Sequence, residues 1–362
     1  MSLDKESLSA YKGAFLSPTN EDEAHTRAIV QSPPRNDFEF IFDPQLYFPN
    51  SSRGVLPQWD YFPTDVDTAD HSNSAWWSEL LKGVHEAALR TGCNACCVPA
   101  IVPRTYTDDF YLRCLENANE MIELSNGTLR ILNTVLISFA DMGLANRAET
   151  LASIVSNSSA REIYLVIVSD REPRRELSDV PSLIGISRFI SLLEAADVRV
   201  TVGFCSTDVV LWKAAGASHC ATGKFFNLRR FTPSRWEDPT GGGGQLPYWI
   251  EEGLMAYLRE SDVLRVQQAG IASDLTSNLT HSAEILRKIN DVVPWVAESW
   301  RHYMEWFASI EWRIEHGVTD PSFLLSAAER NSLLLEDQRI LMEEPRNDFS
   351  WLRPWRRVLA EA

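Results

Sequence analysis

The sequence has no long apolar segment. Its apolar runs fall far short of the roughly 18 residues that a membrane-spanning helix needs. The opening residues MSLDKESLSAYK lack the apolar core of a signal peptide. We therefore expect a cytoplasmic protein that does not associate with membranes.

Common catalytic and nucleotide-binding motifs are also absent. The chain contains no GxSxG, Walker A, HExxH or Gly-rich dinucleotide sequence. Because no motif assigns a reaction type, the candidate site residues are sought among those that end the predicted strands or follow them.

Cysteine is sparse, with six in 362 residues. Cys93, Cys96 and Cys97, with His219 and Cys220 as remote partners, have a spacing that invites a zinc interpretation. However, neighbouring strand residues point to opposite faces, so Cys96 and Cys97 cannot both face one ion without distortion. The pattern favours reduced, buried thiols over a structural zinc site.

Basic residues are outnumbered, with 34 Lys and Arg against 50 Asp and Glu, which gives a net charge of −16. Such a balance disfavours binding to nucleic acid phosphates unless basic residues gather on one face. Of the four segments 1–100, 101–160, 161–236 and 237–362, only 161–236 contains more Lys and Arg than Asp and Glu. A small anionic ligand can therefore be accommodated locally.

Four apolar, β-branched segments each end on an aspartate. They are FEFIFD, TVLISFAD, IYLVIVSD and VTVGFCSTD, which end at Asp43, Asp141, Asp170 and Asp208. Continuous apolar runs are typical of parallel strands buried on both faces. Because ligands bind at the carboxyl ends of such strands, these aspartates predict a site.

Predicted helices alternate with six predicted strands, which end near residues 43, 102, 140, 169, 207 and 222. This alternation indicates an α/β fold with a parallel sheet and right-handed crossovers. We favour a TIM-like (βα) barrel, complete or with strands missing. The alternative is an open, doubly wound parallel sheet.

The chain divides into an N-terminal arm (1–36), an α/β barrel domain (37–236) and a helical C-terminal region (237–362), with Gly241–Gly244 near the second boundary. The loop at 44–74 is long and aromatic, which is typical of a functional loop. In the C-terminal region, 247–262, 282–290, 292–316 and 322–344 read as helical.

We expect the four aspartates to act as proton-transfer groups or as ligands for a divalent metal such as Mg²⁺. Asp43 and Asp170 are the first candidates, because neither is followed at once by a strong helix start. The alternative is that each aspartate only caps the next helix, and Asp208 fits that alternative best.

Further candidates would bind the substrate. Lys224, Arg229 and Arg230 follow the last strand, where many barrels hold phosphate or carboxylate. The alternative is that Arg229, Arg230 and Arg235 form surface ion pairs with the acidic C-terminal helices. His71 and His219 are candidate polar or acid–base groups, although a lone histidine is usually structural.

The stretch AAGASHCATGKFFNLRRF resembles the late strand of tRNA-guanine transglycosylase-type barrels. The resemblance covers fewer than twenty residues, and the zinc-binding cysteine and histidine set of that family is missing. It therefore transfers no catalytic residue.

An apolar seam on the predicted helix 292–316 comprises Val296, Trp300, Tyr303, Phe307, Ile310 and Ile314. Residues 322–344 could cover it as a helical hairpin.

The leading hypothesis is an enzyme that acts on a small anionic or polar substrate by hydrolysis or group transfer. The alternative is an inactive barrel that joins an assembly, as a homo-oligomer or with a protein partner, through residues 292–342 of its Trp-rich tail.

Overall fold

The computed structural model describes residues 8–51, 53–64, 66–67, 70–237 and 246–361, without the His71 side chain. Seven parallel strands form one sheet, and their order in space is their order along the chain. They are β1 (Gly13–Leu16), β2 (Glu39–Phe42), β3 (Ala95–Cys97), β4 (Arg130–Ser138), β5 (Glu162–Val168), β6 (Arg199–Val202) and β7 (His219–Cys220).

One helix follows each of the first six strands: α1 (Glu23–Val30), α2 (Ser74–Thr91), α3 (Asp108–Ser125), α4 (Arg147–Val155), α5 (Val180–Ala195) and α6 (Val209–Ala214). Local signals fix the ends of several of them. The Thr107 hydroxyl accepts a hydrogen bond from Phe110 N–H to start α3, and Gly92 ends α2 at φ +80°. Because the strand order never reverses, right-handed crossovers place these helices on one face of the sheet.

The other face of the sheet curls inward into a half-barrel. Phe15 of β1 and Tyr164 of β5 stack across the interior with ring centroids 4.4 Å apart. A Cβ on Gly203 would lie 2.6 Å from the Tyr164 ring, so only glycine fits there. The predicted α/β fold with a parallel sheet is confirmed. Within the described residues β7 does not pair with β1, so a closed barrel is not seen.

The C-terminal region contains a two-stranded antiparallel sheet and six helices within the described residues. They are β8 (Trp249–Glu251), β9 (Ala256–Leu258), α7 (Glu260–Gln268), α8 (Asp274–Ser277), α9 (Ser282–Asn290), α10 (Val296–Glu315), α11 (Pro321–Asp337) and α12 (Leu352–Glu361).

The predicted helix over 247–262 is wrong, because most of this segment forms the β8–β9 hairpin. Its Glu, Leu, Met and Ala residues have high helix propensity, but the tertiary setting overrides it. The buried Glu251 carboxylate accepts hydrogen bonds from the N–H groups of Gly253 and Ser273 at 3.0 and 2.9 Å. These bonds hold the turn in place.

The apolar seam of α10 faces the interior of the same chain. Tyr303, Phe307 and Ile310 are fully buried, and α10 packs against α6 and β8. The expected helical hairpin with residues 322–344 is wrong, because α11 packs mainly on α12.

Helix α10 also spans the gap between the first and last strands. The Glu311 carboxylate accepts a hydrogen bond of 2.7 Å from the backbone N–H of Cys220 in β7. On the other side, the Tyr11 hydroxyl donates to the Met304 carbonyl at 2.7 Å, close to the start of β1. The helix therefore occupies the place that an eighth strand would fill.

The N-terminal segment contributes to the sheet. Residues 1–36 were expected to form an arm, but β1 and α1 both lie within this range. The three-part division of the chain stays a prediction, and Gly241–Gly244 lie outside the described residues.

Candidate functional site

A cleft of about 580 Å³ opens at the carboxyl ends of β2 and β3. Its walls come from the loops that follow these strands and from the first turns of α3. Small-molecule sites usually enclose about 300 to 1,000 Å³ and lie at this end of parallel sheets. The lining includes Tyr47, Phe48, Trp77, Asp109, Phe110 and Asn117, with Arg104 and Arg113.

Asp43, at the end of β2, contacts Tyr47, which lines this cleft. Its carboxylate accepts hydrogen bonds from the Tyr47 hydroxyl, at 3.1 and 3.0 Å, and from Gln45 N–H at 3.1 Å. Burial raises the pKa of Asp43 to about 6, although these hydrogen bonds and the nearby Arg235 charge lower it. Tyr47 lines the cleft, and its hydroxyl thus connects the buried acid Asp43 to the cleft wall.

The segment from residue 223 to residue 236, here called the crossing segment, runs over the carboxyl end of the half-barrel. Phe231 forms a parallel bridge with Val168 at the end of β5. Its ring packs on Tyr47, with centroids 5.0 Å apart. Further along, the Ser51 hydroxyl donates to the Trp236 carbonyl at 2.8 Å. The segment therefore joins the ends of β7, β5 and β2.

Arg230 of the crossing segment lies between two buried carboxylates. Its guanidinium is 3.0 Å from Glu176 and 3.8 Å from Asp208. The Thr207 hydroxyl donates to Glu176 at 2.7 Å. Burial raises the pKa of both acids, and the Arg230 charge opposes that rise. Because one cation faces two carboxylates, the cluster favours retention of a proton.

Asp208 does not cap the helix that follows it. Helix α6 has no side-chain cap, and the Asp208 carboxylate instead accepts a 2.7 Å hydrogen bond from Ser206 N–H. The capping interpretation therefore does not describe this residue.

Asp141 and Asp170 form a separate pair of charges near Tyr106. Burial raises the pKa of Tyr106, and the charges of both aspartates raise it further. Asp141 is half-buried in a short 3₁₀ turn, whereas Asp170 is exposed. The four aspartates thus share one end of the sheet but occupy three different surroundings.

The two other predicted basic residues face aromatic rings. The Arg229 guanidinium lies 3.4 Å from the centre of the Tyr303 ring and donates to the carbonyls of Gly223 and Lys224 at 3.0 and 2.9 Å. The Lys224 ammonium lies 5.3 Å from the centre of the Trp300 ring.

Surface ion pairs with the C-terminal helices do not account for Arg229, Arg230 and Arg235. All three side chains are buried. The ion pairs of Arg230 go to Glu176 and Asp208, outside the C-terminal region.

The histidine and cysteine candidates lie elsewhere or outside the described atoms. His219 begins β7, where burial and the charges of Lys12 and Lys213 lower its pKa. The His71 side chain is outside the described part. All six cysteines are free and buried. Within the described residues, no three His, Cys, Asp or Glu side chains are arranged to hold a metal ion.

Several residues of these surroundings were not predicted from sequence. Glu176 and Asn117 carry no strand-end signal, and Tyr47 looked like one of many aromatics in a long loop. The only sequence signal for Tyr47 is its position four residues after Asp43, which places it in the loop that follows β2.

No family model matches this chain, and a search of curated proteins found no similar sequence. None of the helices in the described ranges has the length and hydrophobicity to cross a membrane.

Proposed function

We propose that this protein is an enzyme that binds a small polar or anionic molecule in the cleft and catalyses hydrolysis or group transfer. The observation that carries the proposal is the Tyr47–Asp43 contact. A residue that borders the cleft is hydrogen-bonded to a buried carboxyl group whose pKa is raised to about 6.

A pKa near 6 suits proton transfer close to neutral pH. General acid–base catalysis is most efficient when the pKa of the group lies near the working pH. Burial raises the pKa of the Tyr47 phenol far above neutral pH, so this hydroxyl stays protonated. It can donate toward the Asp43 carboxylate while Asp43 gains or loses its proton.

The other predicted residues receive different roles. Asp208 with Arg230 holds the crossing segment against the sheet, since both side chains are buried and Arg230 pairs with both Asp208 and Glu176. The Arg229 guanidinium donates two hydrogen bonds to backbone carbonyls, which favours a structural role. Asp141 and Asp170 remain candidates for contact with substrate, because neither is fully buried.

The test is a turnover screen with chromogenic carboxylate esters, phosphate esters and glycosides, followed by variants. Asp43→Asn and Tyr47→Phe should each lower kcat at least about 100-fold, the range expected for loss of general acid–base catalysis. The wild-type profile of kcat against pH should have an inflection near 6. Asp22→Asn, which alters the cap of α1 away from the cleft, is the control. Full activity in folded Asp43→Asn would refute the proposed chemistry.

The alternative role as an assembly subunit has less support. The seam through which this alternative would have the chain associate is largely covered within the chain by α6 and β8. Exposed apolar side chains remain on α10 and α11, including Trp312 and Phe323. Sedimentation across a concentration series distinguishes the two roles.

A further inference from the structure

Asn117 on α3 is a buried polar side chain that faces the cleft. It is only 4% exposed, it lines the cleft, and its amide makes no hydrogen bond with another described residue. Arg113 and Phe110 lie on the same face of α3, about one and two turns earlier, and also line the cleft. A buried amide without a hydrogen-bond partner lowers the stability of the folded chain. A ligand whose polar groups pair with this amide should therefore bind more tightly than one that leaves it unpaired.

Arg104 is a second polar group that lacks a partner. This exposed side chain lies on the loop after β3 and forms no ion pair or hydrogen bond with another described residue. In contrast, Arg113 is paired with Glu116 at 2.8 Å. The carboxylate of Asp109 also lines the cleft but is exposed at the start of α3. In a chain with a net charge of −16, an unpaired arginine at a cleft selects for an anion.

The loop that presents Arg104 is held in position on both sides. Val102 N–H donates to the Tyr47 carbonyl at 3.0 Å, and the Arg147 guanidinium donates to the Tyr106 carbonyl at 2.5 Å. Less conformational entropy is therefore lost when a ligand binds to this loop.

Flat apolar groups line the cleft together with these two polar residues. The side chains of Phe48, Trp77 and Phe110 belong to the cleft lining together with several prolines. Aromatic walls favour a planar ring, which stacks or packs edge-on against them. An asparagine amide has an NH₂ group that donates beside a carbonyl oxygen that accepts, so it can pair with a ring edge that carries adjacent C=O and N–H groups.

We infer that the cleft binds a planar heteroaromatic compound that carries an amide-type edge, recognised by Asn117, and an anionic group, recognised by Arg104. This inference rests on the proposed function for the choice of site and specifies the class of substrate.

The experiment measures binding by wild-type protein to three matched probes with isothermal titration calorimetry. They are 2-oxo-1,2-dihydroquinoline-4-carboxylate, quinoline-4-carboxylate, which lacks the amide edge, and 2-quinolone, which lacks the carboxylate. The first probe should bind about tenfold more tightly than either of the others, a difference expected for one charge-assisted or well-placed hydrogen bond.

Variants assign the two preferences to residues. Arg104→Gln should remove the preference for the carboxylate and leave the preference for the amide edge, whereas Asn117→Leu should do the reverse. Arg161→Gln, an equal loss of charge at an exposed residue before β5, should change neither. Equal affinity of the wild-type protein for all three probes, or no binding of any, would overturn the inference without relying on a variant that must fold.

Binding and turnover are measured separately, so the two proposals fail independently. If the probe series is as expected and Asp43→Asn retains full activity, the substrate class stands and the proton-transfer role of Asp43 is wrong. If activity depends on Asp43 but the probes show no preference, the substrate class is wrong.

Discussion

The Tyr47 hydroxyl and the Asp43 carboxylate are joined by contacts of 3.1 and 3.0 Å at the end of β2, and both residues are almost completely buried. A carboxyl group in this position is tied both to the stability of the fold and to the cleft beside it. Its protonation should therefore be measurable in the unfolding of the protein even before a substrate is known.

Replacing Asp43 with asparagine should change how stability depends on pH. The folded-state pKa of Asp43, about 6, exceeds its ordinary value of 3.8, so the folded chain retains a proton between these values. Stability therefore falls as pH rises through this window. Relative to wild type, Asp43→Asn should gain about 2 kcal/mol of unfolding free energy between pH 4 and pH 7.

Urea denaturation at both pH values measures this difference. Asp170→Asn, at an exposed carboxylate, is the matched control and should follow the wild-type curve. A constant gap between Asp43→Asn and wild type across this range would contradict the raised pKa.

Loss of Arg230 should destabilise the protein strongly. Arg230→Met leaves Glu176 and Asp208 buried without their cation, and breaking a buried ion pair from one side typically costs about 3 to 5 kcal/mol. Adding Glu176→Gln should restore part of the loss. Arg188→Met, which breaks an exposed pair with Glu149, should cost less than about 1 kcal/mol.

Equilibrium unfolding of these variants forms a double-mutant cycle for residues 176 and 230. Strictly additive effects of Arg230→Met and Glu176→Gln would show that the two side chains are not coupled.

The interior of the half-barrel should reject any side chain at Gly203. A Cβ there would lie 2.6 Å from the Tyr164 ring, so Gly203→Ala should cost about 1 to 3 kcal/mol through overpacking. In a Tyr164→Val background the same change should cost less, because valine lacks the ring atoms that the new Cβ would meet. An equal cost in both backgrounds, measured by thermal unfolding, would argue against the inward curl at this position.

Helix α10 should contribute to folding and not to association. Phe307 is fully buried, so Phe307→Ala should destabilise the chain by about 3 to 5 kcal/mol. Trp312 is 53% exposed on the same helix, and Trp312→Ala should change stability by less than about 0.5 kcal/mol. Sedimentation velocity should show one species for both variants. Concentration-dependent association that Trp312→Ala abolishes would favour the assembly alternative.

The regular part of the fold could be predicted because its signals are local. The strands before Asp43, Asp141, Asp170 and Asp208 are apolar runs, and the helices between them carry periodic apolar faces, with side-chain N-caps on α2, α3 and α5. By contrast, β1 contains only the four residues GAFL, too few to distinguish it from a loop. The β8–β9 hairpin was missed because its composition favours a helix.

The site could be predicted only in outline. Strand ends place Asp43 and Asp208 at one edge of the sheet, but the partners of these acids come from distant parts of the chain. Arg230 reaches Asp208 only because Phe231 bridges back to Val168, a contact that no local pattern indicates. Asn117 reads in the sequence as an ordinary polar residue of an amphipathic helix. Its lack of a partner becomes apparent only when the loops around α3 are in place.

The hydrogen bond between Glu311 and the backbone of Cys220 has a consequence for the solubility of the folded chain. An open parallel sheet ends in a row of backbone donors and acceptors, to which a strand of another molecule can add. At β7 one of these donors is bound by a carboxylate from α10, and burial raises the pKa of that group. Helix α10 therefore covers part of the β7 edge. We expect that its detachment would expose this strand to pairing with a strand of another molecule.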